Sequence, residues 1–171
     1  MEKTYYYNAI KSTPRVTAIL TSDDIKNKID TGEGYTENNL VESICGDWTG
    51  YFASNKSNGY LQLNSNDKEG YYIQSPEFPG KIISVSITFT AGTAPNSTRS
   101  IVIMPTSYTN KTANTSTIGN LGSTSYKGTS EPTSTVELTG DATSFKIYAT
   151  NGAIYFSQIE VVYEKPANHV L

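Results

Sequence analysis

The sequence has few of the features that zinc proteins, nucleic-acid-binding proteins and membrane proteins depend on. Its 171 residues include one cysteine, Cys45, and one histidine, His169, so no internal disulfide and no cluster of zinc-binding thiolates can form. The 13 Lys and Arg residues are scattered and the net charge is −3, which leaves no basic stripe for nucleic acid. No apolar run approaches the ~20 residues of a membrane-spanning helix, and no apolar segment typical of a secretory signal follows Met1. We therefore expect neither nucleic-acid binding nor membrane insertion.

The motifs of common enzymes are absent as well. The sequence contains no Gly-x-Ser-x-Gly, no P-loop and no His-Glu-x-x-His. Because His169 is the sole histidine and lies near the end of the sequence, a Ser-His or Cys-His pair would lack an anchored base. We nominate no catalytic residue, metal ligand or cofactor, and expect a protein that is not an enzyme.

What the sequence does contain is aromatic residues and period-two patterns. It has 13 Tyr, 5 Phe and Trp48 as large packing units, which is typical of a folded chain. From Ile83 to Thr90, apolar residues alternate with Ser and Thr, as in a half-buried antiparallel strand. Weaker patterns predict further strands around Ile101–Ile103, Val136–Leu138 and Phe145–Ala149, and at Tyr60–Leu63 and Tyr71–Ser75.

The last predicted strand contains a change of parity. Ile154 and Phe156 occupy one parity, whereas Ile159 and Val161 occupy the other. A bulge near Ser157 and Gln158 would place all four on the same side. Short strands separated by turns predict an all-β fold, an antiparallel β-sandwich.

One short helix is predicted near the N-terminus. It begins at Thr21 or Ser22, has Asp23 and Asp24 in its first turn, and ends before Gly32. We divide the chain into an N-terminal arm with this helix (1–36), the sandwich (37–164) and a C-terminal tail (165–171), with a first strand plus crossover as the alternative for the arm. Thr106–Thr133 has few apolar anchors and is predicted to be a long loop that makes contacts. Asn64–Gly70 predicts a hairpin turn rather than a calcium loop.

Four segments resemble a known kind of domain. They are Gly46–Tyr51, Gly59–Leu63, Gly70–Val85 and Ala153–Val161. Together they resemble a jelly-roll domain of the galactose-binding-like or carbohydrate-binding-module type, found in surface proteins of gut bacteria and in virion proteins of their bacteriophages. The resemblance implies a jelly-roll-like β-sandwich without catalytic residues. Such domains often hold a structural calcium, for which we nominate no residue.

Two hypotheses of function follow. The first is a non-enzymatic virion protein, a capsid decoration or head-fibre component located in the virion, with Tyr5, Tyr6, Tyr7 and Pro166 contacting other virion proteins or further copies of the chain. The alternative is a carbohydrate-binding module outside the cell or on a bacterial surface. Trp48, Tyr51 and Tyr72 are its candidates for stacking on a polysaccharide, and they belong to an aromatic group that also contains Tyr60 and Tyr71.

Overall fold

The computed structural model describes residues 12–29, 34–65, 70–90, 98–109, 119–127 and 133–166. These residues form eleven strands and one helix. In chain order they are β1 (Arg15–Leu20), α1 (Ser22–Lys28), β2 (Thr36–Val41), β3 (Trp48–Asn55), β4 (Tyr60–Leu63), β5 (Tyr72–Gln74), β6 (Ile82–Phe89), β7 (Thr98–Met104), β8 (Gly122–Lys127), β9 (Thr133–Glu137), β10 (Lys146–Asn151) and β11 (Ile154–Glu164).

All strand pairs are antiparallel, and they form two layers joined at β3. Sheet A has the order β9-β6-β11, with β1 and β4 both pairing along the other edge of β11. Sheet B has the order β8-β7-β10-β5-β3-β2. The start of β3 pairs with β5, whereas its end pairs with β4. The fold is therefore a jelly-roll-like β-sandwich, which confirms the predicted fold class.

The core lies between the two sheets and follows from the alternation in each strand. In β6, Val85, Ile87 and Phe89 are buried, whereas the intervening Ser84, Ser86 and Thr88 remain partly exposed. At the start of the strand the predicted alternation is wrong, because the register against β11 shifts there and Ile82 is buried in place of Ile83. Apolar side chains of one parity are thus removed from water, which is the main favourable contribution to folding. Ser86 and Thr88 form hydroxyl–hydroxyl hydrogen bonds with Thr135 and Thr133 across the outer face.

The predicted bulge in β11 is confirmed. The register of β11 against β6 shifts between Phe156 and Gln158, which pair with the consecutive residues Phe89 and Thr88. The extra residue shifts the inward-facing positions of the strand by one residue. Ile154 and Phe156 before the bulge, and Ile159 and Val161 after it, all point into the core with no exposure.

The helix prediction is confirmed at its start. Thr21 is the N-cap, and Thr21 and Asp24 form a capping box in which each side chain bonds the other residue's backbone N–H. Ile25 anchors the helix on the core. The helix ends at Lys28, and Gly32 lies outside the described residues.

Three segments are organised differently from the main prediction. Within 1–36, β1 pairs with β11 over six residues and begins the sandwich, which agrees with the first strand of the alternative prediction. Asn64–Gly70 does not close a hairpin, since β4 pairs with β3 and β11 whereas β5 pairs with β3 and β10. The stretch Thr106–Thr133 is not one long loop, because it contains β8, which pairs with β7.

Candidate functional site

Outward-facing side chains of sheet B form two rows across the strands. Tyr51 on β3 lies opposite Tyr72 on β5, and Tyr148 on β10 lies opposite Val102 on β7. The register that pairs Ile147 with Ile73 places Tyr148 beside Tyr72, which completes the first row. Directly opposed residues share a face of the sheet. The second row, one pair further along, consists of Thr49, Gln74, Lys146 and Met104.

At the β10 and β7 end of the first row the side chains are buried. The ring of Tyr148 lies near the rings of Tyr72 and Tyr108, with centroid distances of 5.9 and 5.6 Å. Tyr148 is 4% exposed, and Val102 and Met104 are also buried although they face outward. These residues form a second, smaller apolar cluster outside the main core.

The other end of the row is more open. Tyr51, Tyr71 and Tyr35 are each half-buried, and every pair among them is in ring contact. Tyr35 and Tyr71 are closest, with centroids 4.3 Å apart. Tyr71 lies just before β5, so it is not bound by the alternation that would place adjacent strand residues on opposite faces. Both residues therefore contribute to the same side of the sandwich.

The aromatic surface continues onto sheet A because β3 belongs to both sheets. Ala53 on β3 lies opposite Gln62 on β4, which in turn lies opposite Tyr155 on β11. The ring of Tyr155 meets that of Tyr60 edge to face at 5.4 Å. Tyr155 also lies close enough to Tyr35 to raise the pKa of the Tyr35 phenol.

We call the resulting region the tyrosine surface. It contains eight of the nine tyrosines whose side chains the structure describes: Tyr35, Tyr51, Tyr60, Tyr71, Tyr72, Tyr108, Tyr148 and Tyr155. The ninth, Tyr163, packs on Phe78 elsewhere. Tyrosine is thus concentrated on one side of the sandwich and its corner.

Three titratable groups in or beside the tyrosine surface are partly desolvated. Burial raises the pKa of Tyr148, and the neighbouring phenols of Tyr108 and Tyr72 raise it further. Burial likewise raises the pKa of Tyr35, with contributions from Tyr155 and Tyr71. Burial lowers the pKa of Lys146, the lysine of the second row. The phenols of Tyr148 and Tyr35 therefore remain neutral hydrogen-bonding groups at physiological pH.

The structure treats the three stacking candidates differently. Tyr51 and Tyr72 lie on the tyrosine surface, half-buried. Trp48 is 2% exposed and packs edge to face on Phe145 in the core. Its indole offers no face to a ligand, so Trp48 is no longer a candidate for stacking on a sugar. Trp48 shares its parity in β3 with the buried Phe52, a signal that could have identified it as a core residue.

Of the predicted assembly contacts, Tyr5, Tyr6 and Tyr7 lie outside the described residues. Pro166 is exposed and borders a groove of about 240 Å³ with Val16, Pro79, Tyr163 and Lys165. None of the eight tyrosines of the tyrosine surface lines this groove, so Pro166 does not belong to that surface.

Sequence reasoning missed Tyr35, Tyr108, Tyr148 and Tyr155, together with Lys146. For Tyr148 and Lys146 a signal existed, because both alternate with the core residues Ile147 and Ala149. For Tyr35, Tyr108 and Tyr155 the pattern indicates at most an outward direction. Their meeting depends on strand pairs far apart in sequence.

Within the described part of the chain, no group of three or more His, Cys, Asp or Glu side chains is placed to hold a metal ion. No helix there is long and apolar enough to cross a bilayer. What the described side chains do offer is a contact surface made of phenol rings, hydroxyl groups and side-chain amides.

Fold and surface together define the class of this protein: a jelly-roll-like β-sandwich with an aromatic outer surface. No protein-family model and no curated protein matches the sequence. Among solved structures it is similar to the C-terminal CBM6 of LamC, a marine laminarinase from Zobellia galactanivorans. That similarity covers 87% of this chain and 100% of that chain, at 11% sequence identity and a TM-score of 0.37. Similarity at this level says nothing about the function of this chain.

Proposed function

We propose that this protein is a carbohydrate-binding module that holds a polysaccharide against the tyrosine surface without catalysing a reaction. The observation that supports the proposal is the collection of eight tyrosines on one continuous outer surface, seven of them partly exposed and the eighth, Tyr148, buried beneath its neighbours. In an ordinary sandwich the outer faces are polar, and large aromatic residues are found mainly in the core. Here the outer face of sheet B is aromatic, whereas the outer face of sheet A along β6 and β9 has Ser and Thr.

The chemistry of the surface suits a sugar chain. Aromatic rings present a large apolar area with little side-chain entropy to lose, and they can pack on the C–H faces of pyranose rings. Thr49, Gln74 and Gln62 lie among or beside the tyrosines and are partly exposed. Their hydroxyl and amide groups can donate to and accept from sugar hydroxyls. A ligand with both apolar faces and many hydroxyls matches this mixture.

The surface is also long enough for more than one sugar. The partly exposed Tyr51 and Tyr72 lie on the adjacent strands β3 and β5, and Tyr60 and Tyr155 extend the surface past the corner onto β4 and β11. Neighbouring strands are about 4.8 Å apart, so the four strands β5, β3, β4 and β11 that carry these rings span about 14 Å along the sheet. We therefore propose an oligosaccharide or polysaccharide as the ligand, with the protein located outside the cell or on a cell surface.

The virion hypothesis remains a sequence-based prediction. Its contact residues Tyr5, Tyr6 and Tyr7 lie outside the described residues, and the exposure of Pro166 does not favour one partner over another. No described feature supports a capsid role over glycan binding. A virion protein that carries a glycan-binding surface would be consistent with both readings.

Affinity measurements on a panel of soluble polysaccharides test the proposal. Wild-type protein is expected to bind at least one of them, and Tyr51→Ala to weaken that binding about tenfold, the equivalent of ~1.4 kcal/mol. Tyr51→Phe should bind like wild type if the ring face makes the contact.

The matched control is Tyr163→Leu, which alters a tyrosine on another part of the sandwich and keeps an apolar contact with Phe78. It should bind like wild type. Thermal unfolding of each variant separates loss of binding from loss of fold. A panel without any binding, or equal weakening by Tyr51→Ala and Tyr163→Leu in folded protein, would refute the proposal.

A further inference from the structure

Lys146 occupies an unusual position on the outer face of sheet B. It lies in the second row, opposite Gln74 on β5 and Met104 on β7, and the residue is 8% exposed. Charged side chains are seldom buried to this extent unless they are paired.

The described contacts of Lys146 include no acid. Its Nζ donates a hydrogen bond to the backbone carbonyl of Tyr108 at 2.8 Å and lies 4.7 Å from the centroid of the Tyr72 ring. Lys81, in contrast, forms an ion pair with Asp141 elsewhere on the molecule. An ammonium group has three N–H donors, so one carbonyl and one ring leave hydrogen-bonding capacity unused.

The two rows of this face contain no acidic residue. The outward positions of β3, β5, β10 and β7 in the two rows are Thr49, Tyr51, Tyr72, Gln74, Lys146, Tyr148, Val102 and Met104. Lys146 is the only charged residue among them. A cation in a neutral, partly desolvated environment interacts more strongly with an incoming anion than one in bulk water.

Packing alone does not require lysine at this position. The neighbour of Lys146 in the same row is Met104 on β7, an unbranched apolar side chain that is 1% exposed. Methionine has a similar length and would avoid the cost of burying a charge. Burial already lowers the pKa of Lys146, which reflects that cost. A buried lysine without an acidic neighbour among its described contacts indicates that its ammonium group binds an anion from outside the protein.

We infer that Lys146 binds an anionic group of the ligand, so that the polysaccharide recognised by the tyrosine surface bears carboxylates or sulfate esters. The inference rests on the proposed function and adds the substrate class. The rings of Tyr51 and Tyr72 contact the sugar faces, and the acidic substituent lies over Gln74 toward the ammonium group.

The test compares ligands that differ in charge. Binding is measured by titration calorimetry with polygalacturonate, a sulfated galactan and a neutral galactan. Wild-type protein is expected to bind one of the two acidic polymers about tenfold more tightly than the neutral one, with a preference that shrinks at high salt. The two acidic arms distinguish a carboxylate from a sulfate as the recognised group.

Variants then assign the preference to Lys146. Lys146→Met should lower affinity for the acidic polymer more than affinity for the neutral one, so that the preference falls to within about twofold. Lys146→Arg should keep a large part of it. The control Lys81→Met removes an exposed lysine away from the face and should behave like wild type.

The outcomes separate the two proposals. Binding of glycans without a preference for acidic ones, or a preference that survives Lys146→Met in folded protein, overturns the assignment of Lys146 and leaves the proposed function in place. Absence of binding to every polysaccharide overturns both.

Discussion

Tyr72 and Tyr148 lie side by side on β5 and β10, with ring centroids 5.9 Å apart and ring planes inclined by 31°. The two residues are remote in sequence and meet because Ile73 and Ile147, their neighbours, pair in the same sheet. With the core residues facing inward, both phenol rings must face outward. This relationship turns isolated tyrosines into a surface, and the predictions below test that surface and the fold that holds it.

Gly50 is expected to be intolerant of any side chain. Its φ is 147°, and a Cβ there would lie 2.3 Å from the carbonyl oxygen of Tyr72. Gly50→Ala should therefore lower the free energy of unfolding by more than about 3 kcal/mol, as severe backbone clashes do. Urea unfolding measures the change.

The control for Gly50 is Gly140, which also has a positive φ, of 78°, but whose Cβ would meet nothing within 4 Å. Gly140→Ala should cost only the conformational strain, about 1 kcal/mol. Similar losses for the two variants would show that the close approach of β3 and β5 is not as described.

Trp48 should affect stability and not ligand contact. Trp48→Ala removes a large side chain from the core and should cost about 3–5 kcal/mol. Trp48→Phe should cost less, because the indole N–H has no hydrogen-bond partner in the structure to leave unsatisfied. In folded Trp48→Phe protein, polysaccharide affinity should match wild type. A selective loss of affinity without a loss of stability would return Trp48 to the binding site.

Stability should fall in alkaline solution because of buried phenols. The pKa values of Tyr148 and Tyr35 are raised in the folded protein, first by burial and then by neighbouring tyrosines. In the unfolded chain these phenols have a pKa of about 10, so the unfolded state loses protons first as pH rises above that value. Their contribution to stability is therefore complete below about pH 10 and is lost as pH rises further.

Chemical denaturation between pH 8 and 11.5 measures this effect. Tyr148→Phe should flatten the alkaline decline, since phenylalanine cannot ionise. An equally steep decline in the double variant Tyr35→Phe/Tyr148→Phe would assign the alkaline instability to other groups.

The capping box of α1 should make a small, measurable contribution. Thr21→Ala removes the side-chain oxygen that accepts from the backbone N–H of Asp24, and should cost about 1 kcal/mol. Thr21→Ser retains the oxygen and should lower the free energy of unfolding by no more than a few tenths of a kcal/mol. Because Thr21 does not belong to the tyrosine surface, neither variant should alter polysaccharide binding in folded protein. If Thr21→Ser is as destabilising as Thr21→Ala, packing of the methyl group matters more than the cap.

By itself the sequence determined the features that depend on neighbouring residues. Alternation from Val85 to Thr90 predicted the inward face of β6, and the change of parity between Phe156 and Ile159 predicted the bulge of β11. Thr21 or Ser22, followed by two acidic residues, marked the start of the helix. In each case the interactions act within a few residues of chain, so a local pattern contains enough information.

Only the tertiary structure decided which residues meet. It placed β1 beside β11, separated β4 and β5 into different sheets, and brought Tyr35, Tyr72, Tyr148 and Tyr155 to one side of the sandwich. Alternation states whether a side chain points inward or outward and contains no information on which strand lies next to it. Strand order is set by the burial of the whole core, a property of many distant residues at once.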